Sequence, residues 1–182
     1  MTENKILPPL VWLDLEMTGL DPDSERIIEI ATVVTNADLE EIKEGPNLVI
    51  KQPQEYIDSM DEWNINQHTS SGLIESMKAT QISIEEAENQ TLEFLRKHTK
   101  KGKSPLCGNS ISHDRRFLVR YMPELAGFFH YRNIDVSSVK ELVKRWRPEL
   151  KRGINKNGNH RALADVYESI KELKFYKENF FN

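Results

Sequence analysis

Three apolar runs in the first third of the chain predict β-strands. Leu10 to Met17 is almost continuously apolar, which is typical of a central strand that is buried on both faces. Arg26 to Thr35 and Asn47 to Gln52 are rich in β-branched residues, which favour extended structure. Thr18 to Pro22 reads as a turn after the first run. Together the three strands could form a meander.

Helical signals follow these strands. Ser83 with Glu86 is a capping box, in which each residue satisfies a free backbone amide at the start of a helix. Ser138 with Glu141 predicts a second such helix, whose apolar residues recur at helical spacing until Pro148 ends it. A last long helix is predicted by four apolar residues that share one face, namely Leu163, Val166, Ile170 and Leu173.

The segments between the capped helices predict a helix and two short strands. Residues 105–109 and 131–136 are strand candidates, and residues 114–121 are a helix candidate. Three early strands followed by alternating helices and strands predict an α/β fold with a mixed central sheet flanked by helices. We expect residues 1–182 to form a single domain, because this length fits one ordinary hydrophobic core.

Composition and charge narrow the possible functions. Hydrophobic residues make up 38% and charged residues 30% of the chain, a profile typical of globular rather than disordered proteins. The formal net charge is −4, whereas proteins that neutralise many phosphates of a long nucleic acid are normally basic. Any nucleic-acid function must therefore rest on local contacts or on bound metal, which favours a short substrate.

The sequence also predicts where the protein works. Cys107 is the only cysteine, so an internal disulfide is impossible and a reducing compartment is expected. The first residues lack the basic start and the apolar stretch of a signal peptide, and no run of about 18 apolar residues predicts a membrane span. We therefore expect a cytoplasmic protein that does not contact membranes.

Acidic residues supply the candidate chemistry. Asp14 and Glu16 lie two positions apart near the end of the first strand, so their side chains share one face and repel each other unless a cation or a proton lies between them. Ligand sites in α/β sheets gather at this end of the strands. A lone pair of this kind would more simply mark the exit of the strand into solvent.

Three further residues complete the set. Asp114 begins a helix, where an acidic residue also favours the helix dipole. His160 and Asp165 flank the start of the last helix and would not share one of its faces, so we expect His160 at the helix start, after the flexible residues 157–159. Each of the three alone could be an ordinary surface residue. Taken with Asp14 and Glu16, they form a set with a shared chemistry.

That chemistry is metal-assisted hydrolysis of a phosphodiester. Carboxylate oxygens without any cysteine suit Mg²⁺ or Mn²⁺ rather than structural zinc. Four carboxylates can hold two such ions, which activate water and stabilise the attacking and leaving oxygens. His160 suits the role of the base that takes the proton of the water, because the unperturbed pKa of histidine lies near neutrality.

The order Asp-x-Glu, Asp, His-x4-Asp resembles the signature of the DEDDh 3′→5′ exonucleases, which have a ribonuclease-H-like fold. Longer segments resemble the oligoribonuclease family in particular, and they cover nearly the whole chain in the order of that family. They include WLDLEMTGLDP, MDEWNINQHTSSGL, GKSPLCGNSISHDRRFL, YMPELAGFFHYRNIDVSSVKEL and HRALADVYESI. The resemblance implies hydrolysis of short RNA, above all 5′-phosphorylated dinucleotides, to nucleoside 5′-monophosphates by two Mg²⁺ or Mn²⁺ ions.

The resemblance also implies a role for each matching residue. The metal carboxylates would be Asp14, Glu16, Asp114 and Asp165, with His160 as the general base. The residues that pack against the bases would be Leu20 and Trp63. The residues near the substrate phosphates would be His68, Ser110 and Ser137. In a homodimer, Tyr131 and Arg132 would reach into the active site of the partner subunit.

One difference from the family and two alternative functions accompany this interpretation. Relatives commonly carry two consecutive aspartates where this chain has Ala164-Asp165, which leaves Asp165 as the ligand. A proofreading-type DNA exonuclease would use the same five residues, and cleavage of a deoxydinucleotide would reveal it. An inactive dinucleotide-binding module is the second alternative, and the intact five-residue set argues against it.

Overall fold

The computed structural model describes the backbone of residues 7–153 and 161–181 and the side chains of residues 7–150 and 161–181. Five strands are present in the described chain: β1 Leu10–Met17, β2 Ile27–Thr35, β3 Ile42–Val49, β4 Leu106–Gly108 and β5 Asn133–Asp135. The helices are α1 Gln54–Asp58, α2 Glu62–Ser70, α3 Leu73–Ala79, α4 Ile84–His98, α5 Ser112–Tyr121, α6 Pro123–Ala126, α7 Val136–Trp146 and α8 Ala162–Asn179, with a 3₁₀ turn at Pro148–Gly153.

The strands form one mixed sheet in the order β3-β2-β1-β4-β5. The first three strands are antiparallel neighbours, so the predicted meander is confirmed. Strands β4 and β5 continue the sheet in parallel with β1. The predicted α/β architecture with a mixed central sheet is therefore confirmed.

Alternating residues of β1 face two separate hydrophobic layers. Val11, Leu13 and Leu15 pack into the cluster that contains the buried faces of α4 and α5. Trp12 packs into the cluster formed with α7 and α8, and its indole Nε1 donates a hydrogen bond of 3.0 Å to Oγ1 of Thr35. Because side chains alternate along a strand, Asp14 and Glu16 lie on the face of β1 that α8 covers.

Most predicted elements are present, but several differ at their ends. The helix predicted at residues 114–121 begins at Ser112, and the strand predicted at residues 131–136 covers only Asn133–Asp135. The first strand has the predicted bounds, and Ser83 accepts a hydrogen bond from the amide of Glu86 as expected of its cap. The third strand was predicted at residues 47–52, but β3 begins at Ile42 and ends at Val49. Its first three residues are exposed at the edge of the sheet, and two of them, Lys43 and Glu44, are polar, so the segment lacks the apolar signal of an inner strand.

The predicted capping box of Ser138 and Glu141 is wrong. Helix α7 begins at Val136, and Asp135 caps it by accepting a hydrogen bond from the amide of Ser137. The acidic residue that ends β5 therefore also starts the helix, which leaves no loop between them. Within the described residues, no helix is both long enough and apolar enough to cross a membrane.

Candidate active site

Strand β1 presents two carboxylates to the start of α8. Asp14 and Glu16 are both partly buried, and Glu16 pairs across the sheet with Glu29 of β2. The register of the two strands shifts directly after Glu16, so the regular ladder ends beside the acidic residues. The sequence thus places both side chains at the carboxyl end of the central strand, as predicted.

Asp165 on α8 joins this pair. It lies in the first turn of the helix, where its amide donates a hydrogen bond of 3.1 Å to the carbonyl oxygen of Arg161. One carboxylate oxygen from each of Asp14, Glu16 and Asp165 lies within 4.8 Å of the other two. Asp165 is 149 positions from Glu16 along the chain, yet the three side chains converge on one point. Sequence spacing alone does not reveal this contact.

Asp114 approaches the same strand from α5. Its Oδ1 accepts a hydrogen bond of 3.0 Å from the amide of Leu15, which lies between Asp14 and Glu16. The side chain is buried, with 5% of its surface exposed. Burial raises the pKa of Asp114 to about 7, although the hydrogen bond from Leu15 acts in the opposite direction.

Crowding of acidic groups shifts the other carboxyls in the same direction. Burial, followed by the charges of Asp165 and Glu29, raises the pKa of Glu16 to about 8, and Arg161 offsets part of this effect. The pKa of Asp14 is raised well above its ordinary value, first by burial and then by the neighbouring carboxylates. A cation among these oxygens would favour their charged forms.

The donor set fits Mg²⁺ or Mn²⁺. All four side chains offer carboxylate oxygens, which are the ligands that these hard cations prefer. The three oxygens within 4.8 Å of one another are close enough to be drawn onto a common ion, and Asp114 is fixed beside them by the backbone of β1. The arrangement supports the predicted metal-binding residues, while the number of ions stays a prediction.

The predicted general base, His160, lies outside the described residues. Arg161 follows it directly and is the last residue before α8.

Two of the predicted phosphate-contacting residues lie side by side. The hydroxyl groups of Ser110 and Ser137 are 3.2 Å apart, and the amide of Ser110 donates to Oγ of Ser137 at 3.0 Å. Asp135 accepts from the amides of both serines, and Ser110 adopts a left-handed φ of 50° that allows this arrangement. The turn after β4 and the start of α7 are thus held together as one polar surface.

The third residue predicted near the phosphates, His68, is almost fully buried. It is 2% exposed, and its Nε2 lies 3.0 Å from the carbonyl oxygen of Met17. This contact attaches α2 to the end of β1, one residue beyond Glu16. His68 therefore fixes the helix that carries Trp63.

The two residues predicted to contact bases are both open to solvent. Leu20 is 70% exposed and Trp63 is 64% exposed. Leu20 lies on the loop after β1, whose ends are joined by hydrogen bonds of 2.9 Å between Thr18 and Arg26. Exposed large apolar side chains on a loop and a helix that both adjoin the end of β1 are suited to pack against planar bases.

Tyr131 and Arg132 also extend into solvent. Tyr131 is 73% exposed, and the guanidinium of Arg132 lies 5.1 Å from the centre of its ring. The segment before them is anchored, because the amide of His130 donates to the carbonyl oxygen of Ser104 at 2.8 Å. The pair is therefore held at the surface, where the predicted contact with a partner subunit could form.

Sequence reasoning missed a partly buried ion pair beside the carboxylates. Glu29 is 0% exposed, and both of its oxygens accept hydrogen bonds from Arg161. The available signal was a charged residue within the apolar run RIIEIATVVT, where a buried acid requires a partner. Nothing in the sequence identifies Arg161 as that partner, because the two residues are 132 positions apart.

Solved structures support the fold. The chain is similar to the zinc-bound complex of E. coli exonuclease I with single-stranded DNA, with a TM-score of 0.74 and 17% identity over 97% of this chain and 42% of that chain. It is also similar to an exonuclease I from Methylocaldum szegediense, with a TM-score of 0.66 and 20% identity over 96% of this chain and 41% of that chain. The chain thus spans less than half the length of these structures. The likeness confirms the ribonuclease-H-like fold.

Sequence relatives identify the family. The model of the exonuclease family RNase_T matches residues 11–173. An oligoribonuclease of Idiomarina loihiensis is 54% identical over 100% of this chain and 100% of its own length. The oligoribonuclease of Bordetella pertussis is 59% identical over 93% of this chain and 94% of its own length. The chain therefore belongs to the oligoribonuclease family of exonucleases and is a metal-dependent, hydrolytic exoribonuclease.

Proposed function

We propose that this protein removes nucleotides from the 3′ end of very short RNA, and that 5′-phosphorylated dinucleotides are its preferred substrates. The products would be nucleoside 5′-monophosphates. The observation that carries the proposal is the convergence of the oxygens of Asp14, Glu16 and Asp165 within 4.8 Å, with Asp114 held next to them by the amide of Leu15. This is the donor set that hydrolysis of a phosphodiester by two divalent cations requires.

The four carboxylates would hold two Mg²⁺ or Mn²⁺ ions. When bound, such ions lower the pKa of water and stabilise negative charge on the reacting oxygens. The protein contributes rigid placement: β1 fixes Asp14 and Glu16, the first turn of α8 fixes Asp165, and the hydrogen bond from Leu15 fixes Asp114. Because these groups are partly or fully buried, their charges are poorly screened by solvent and attract a cation strongly.

His160 is the general base of the proposed mechanism. Its imidazole would accept the proton of the attacking water, a role that needs a group with a pKa near neutrality. The support comes from the sequence pattern His-x4-Asp and from the family to which the chain belongs.

The substrate would be oriented by groups on several elements around the end of β1. Ser110 and Ser137 offer hydroxyl groups to phosphate at the amino-terminal end of α7, where the helix dipole favours negative charge. Leu20 and Trp63 would pack against the two bases, and His68 supports this arrangement by attaching α2 to β1. Contacts with both bases of a dinucleotide would favour short substrates.

The working unit is proposed to be a symmetric homodimer, in which Tyr131 and Arg132 complete the active site of the partner subunit. Both side chains lie at the surface, and a guanidinium can bind a phosphate with two hydrogen bonds.

The single domain of residues 1–182 would work in the cytoplasm, consistent with one buried, unpaired cysteine, Cys107.

The proposal can be tested with two matched substrates. A 5′-phosphorylated diribonucleotide and its deoxy counterpart should be incubated with the protein and Mg²⁺, with EDTA in parallel, and the products separated by chromatography. We expect the ribonucleotide to be converted faster, with no conversion in EDTA. Asp14→Asn should abolish hydrolysis, because the amide lacks the charge that the cations require.

Two outcomes would contradict the proposal. Faster cleavage of the deoxydinucleotide would assign the protein to DNA. Binding of either dinucleotide without turnover in Mg²⁺ and in Mn²⁺ would show that it is a binding module.

A further inference from the structure

An ion pair between the fully buried Glu29 and the partly buried Arg161 links three elements beside the carboxylates. Glu29 on β2 accepts hydrogen bonds from Nε of Arg161 at 3.0 and 3.1 Å and from Nη2 at 2.6 Å. It also accepts a hydrogen bond of 3.0 Å from the amide of Ala162, the first residue of α8. Both oxygens of this fully buried carboxylate are therefore used to hold the start of the helix.

The same guanidinium reaches a second helix. Nη1 of Arg161 lies 3.4 Å from the carbonyl oxygen of Ser71, the residue that caps the end of α2. The hydroxyl group of Ser71 in turn donates to the carbonyl oxygen of His68 at 3.3 Å. Arg161 thus connects the helix that carries Asp165 with the helix that carries Trp63 and His68.

Fold stability alone explains this pair poorly. Glu29 lies directly across the sheet from Glu16, so it adds a negative charge beside a cluster of carboxylates that already repel one another. Replacing a buried ion pair by apolar residues is often neutral or stabilising, whereas the pair fixes one geometry through its directional hydrogen bonds. An ion pair at this position is therefore better explained by the arrangement that it imposes.

We propose that Glu29 and Arg161 are positioning residues for the reaction. They hold the first turn of α8 against β2, so that Asp165 keeps one placement relative to Asp14 and Glu16. This inference rests on the proposed function, since the benefit of that placement is faster hydrolysis. Hydrogen bonds behind metal-binding groups commonly have this effect.

Arg161→Lys separates geometry from charge. Lysine keeps the positive charge beside Glu29 but lacks the planar fork that contacts both carboxylate oxygens and Ser71 at once. If only the charge mattered, this variant would behave like the parent protein. Glu29→Gln provides the complementary change, because it keeps the size of the side chain and removes its charge.

A stability control is available on the same helix. Ile170 is 3% exposed in the core between α8 and the sheet, so Ile170→Val should lower the melting temperature without altering the first turn of α8. It shows what a loss of stability alone does to the kinetics.

Three readouts should be measured for each variant: hydrogen exchange of the amides of residues 162–166, binding of Mn²⁺ by calorimetry, and kcat and KM for a 5′-phosphorylated diribonucleotide. Arg161→Lys should speed amide exchange, weaken Mn²⁺ binding and lower kcat roughly 10- to 100-fold, because small displacements of reacting groups are costly. Its KM should change less than its kcat, since Leu20 is untouched and the contact of His68 with Met17 still attaches α2 to β1. Ile170→Val should keep the parental kcat.

An Arg161→Lys variant with parental kcat, exchange and Mn²⁺ binding would overturn the inference, and so would an equal loss of kcat in Ile170→Val. If Glu29→Gln fails to fold, Arg161→Lys decides alone. If the parent protein does not cleave RNA, the proposed function fails, while exchange and Mn²⁺ binding still decide whether the pair positions α8.

Discussion

The amide of Leu15 donates a hydrogen bond of 3.0 Å to Oδ1 of Asp114, and this contact attaches α5 to the central strand between its two acidic residues. A buried amide needs an acceptor, and a buried carboxylate needs a donor. The contact satisfies both groups and holds Asp114 beside Asp14 and Glu16. One hydrogen bond thus serves the fold and the site together.

Two substitutions at Asp114 should separate these functions. Asp114→Asn keeps an oxygen that can accept from Leu15, whereas Asp114→Ala leaves the buried amide without that acceptor. Both variants should lose hydrolysis, but the alanine variant should be less stable by about 1–3 kcal/mol. Urea unfolding in EDTA measures the difference. Equal stability of the two variants would show that the contact with Leu15 does not stabilise the fold.

The stability of the metal-free protein should fall as the pH rises. The pKa of Glu16 is raised from 4.5 to about 8 and that of Asp114 from 3.8 to about 7, so the folded protein holds protons that the unfolded chain has already lost. Between about pH 5 and pH 8.5 the folded state therefore loses stability. Melting temperatures in EDTA should decrease across this window.

Glu16→Gln provides the control for that prediction, since it removes one titrating group and should make the decrease shallower. Saturating Mn²⁺ should raise the melting temperature more at pH 8 than at pH 5.5, because the ion competes with protons for the same oxygens. Melting temperatures in EDTA that increase towards pH 8, and do so equally in the parent protein and in Glu16→Gln, would contradict the raised pKa values.

His160 should control the pH dependence of turnover. If it is the general base, kcat should rise through roughly pH 6 to 7.5 as the imidazole loses its proton. His160→Ala should lose most activity while still binding Mn²⁺ and dinucleotide. A variant with the parental rate and pH profile would show that His160 takes no part in the reaction.

Arg132 should act across the proposed dimer interface. Arg132→Ala should weaken the hold on the 5′-phosphate, so the shortest substrates should lose the most activity. Mixing Arg132→Ala with His160→Ala subunits makes dimers in which one site has both intact residues. Random exchange makes about half of the dimers mixed, so roughly a quarter of all sites should recover. If exchange is confirmed and no activity returns, Arg132 does not act in trans.

The sequence predicted the inner part of the fold better than its edges. The bounds of β1 match because a strand covered on both faces is a continuous apolar run. The start of β3 was missed because Lys43 and Glu44 are polar residues at the sheet edge, and Gly45-Pro46 resembles a turn. The cap predicted at Ser138 starts α7 too late because Asp135 ends a strand and caps a helix at once.

The carboxylates of the site were also easier to predict than the contacts that hold them. The spacing of Asp14 and Glu16 already indicated a shared face, and the family pattern joined them to Asp114 and Asp165. The structure confirms that Asp14, Glu16 and Asp165 converge. The contacts that fix these groups were not predictable, because Leu15 to Asp114 and Glu29 to Arg161 join residues 99 and 132 positions apart.

A preference for the shortest RNA distinguishes the proposed enzyme from other exonucleases most directly. The measurement is a series of 5′-phosphorylated RNAs of two to seven nucleotides with the parent protein and Mg²⁺, in which kcat/KM is determined for each length under initial-rate conditions. We expect the dinucleotide to have the highest kcat/KM, because an acidic protein gains little from additional phosphates and the proposed site contacts two bases. A kcat/KM that increases with length up to seven nucleotides would contradict the proposed function.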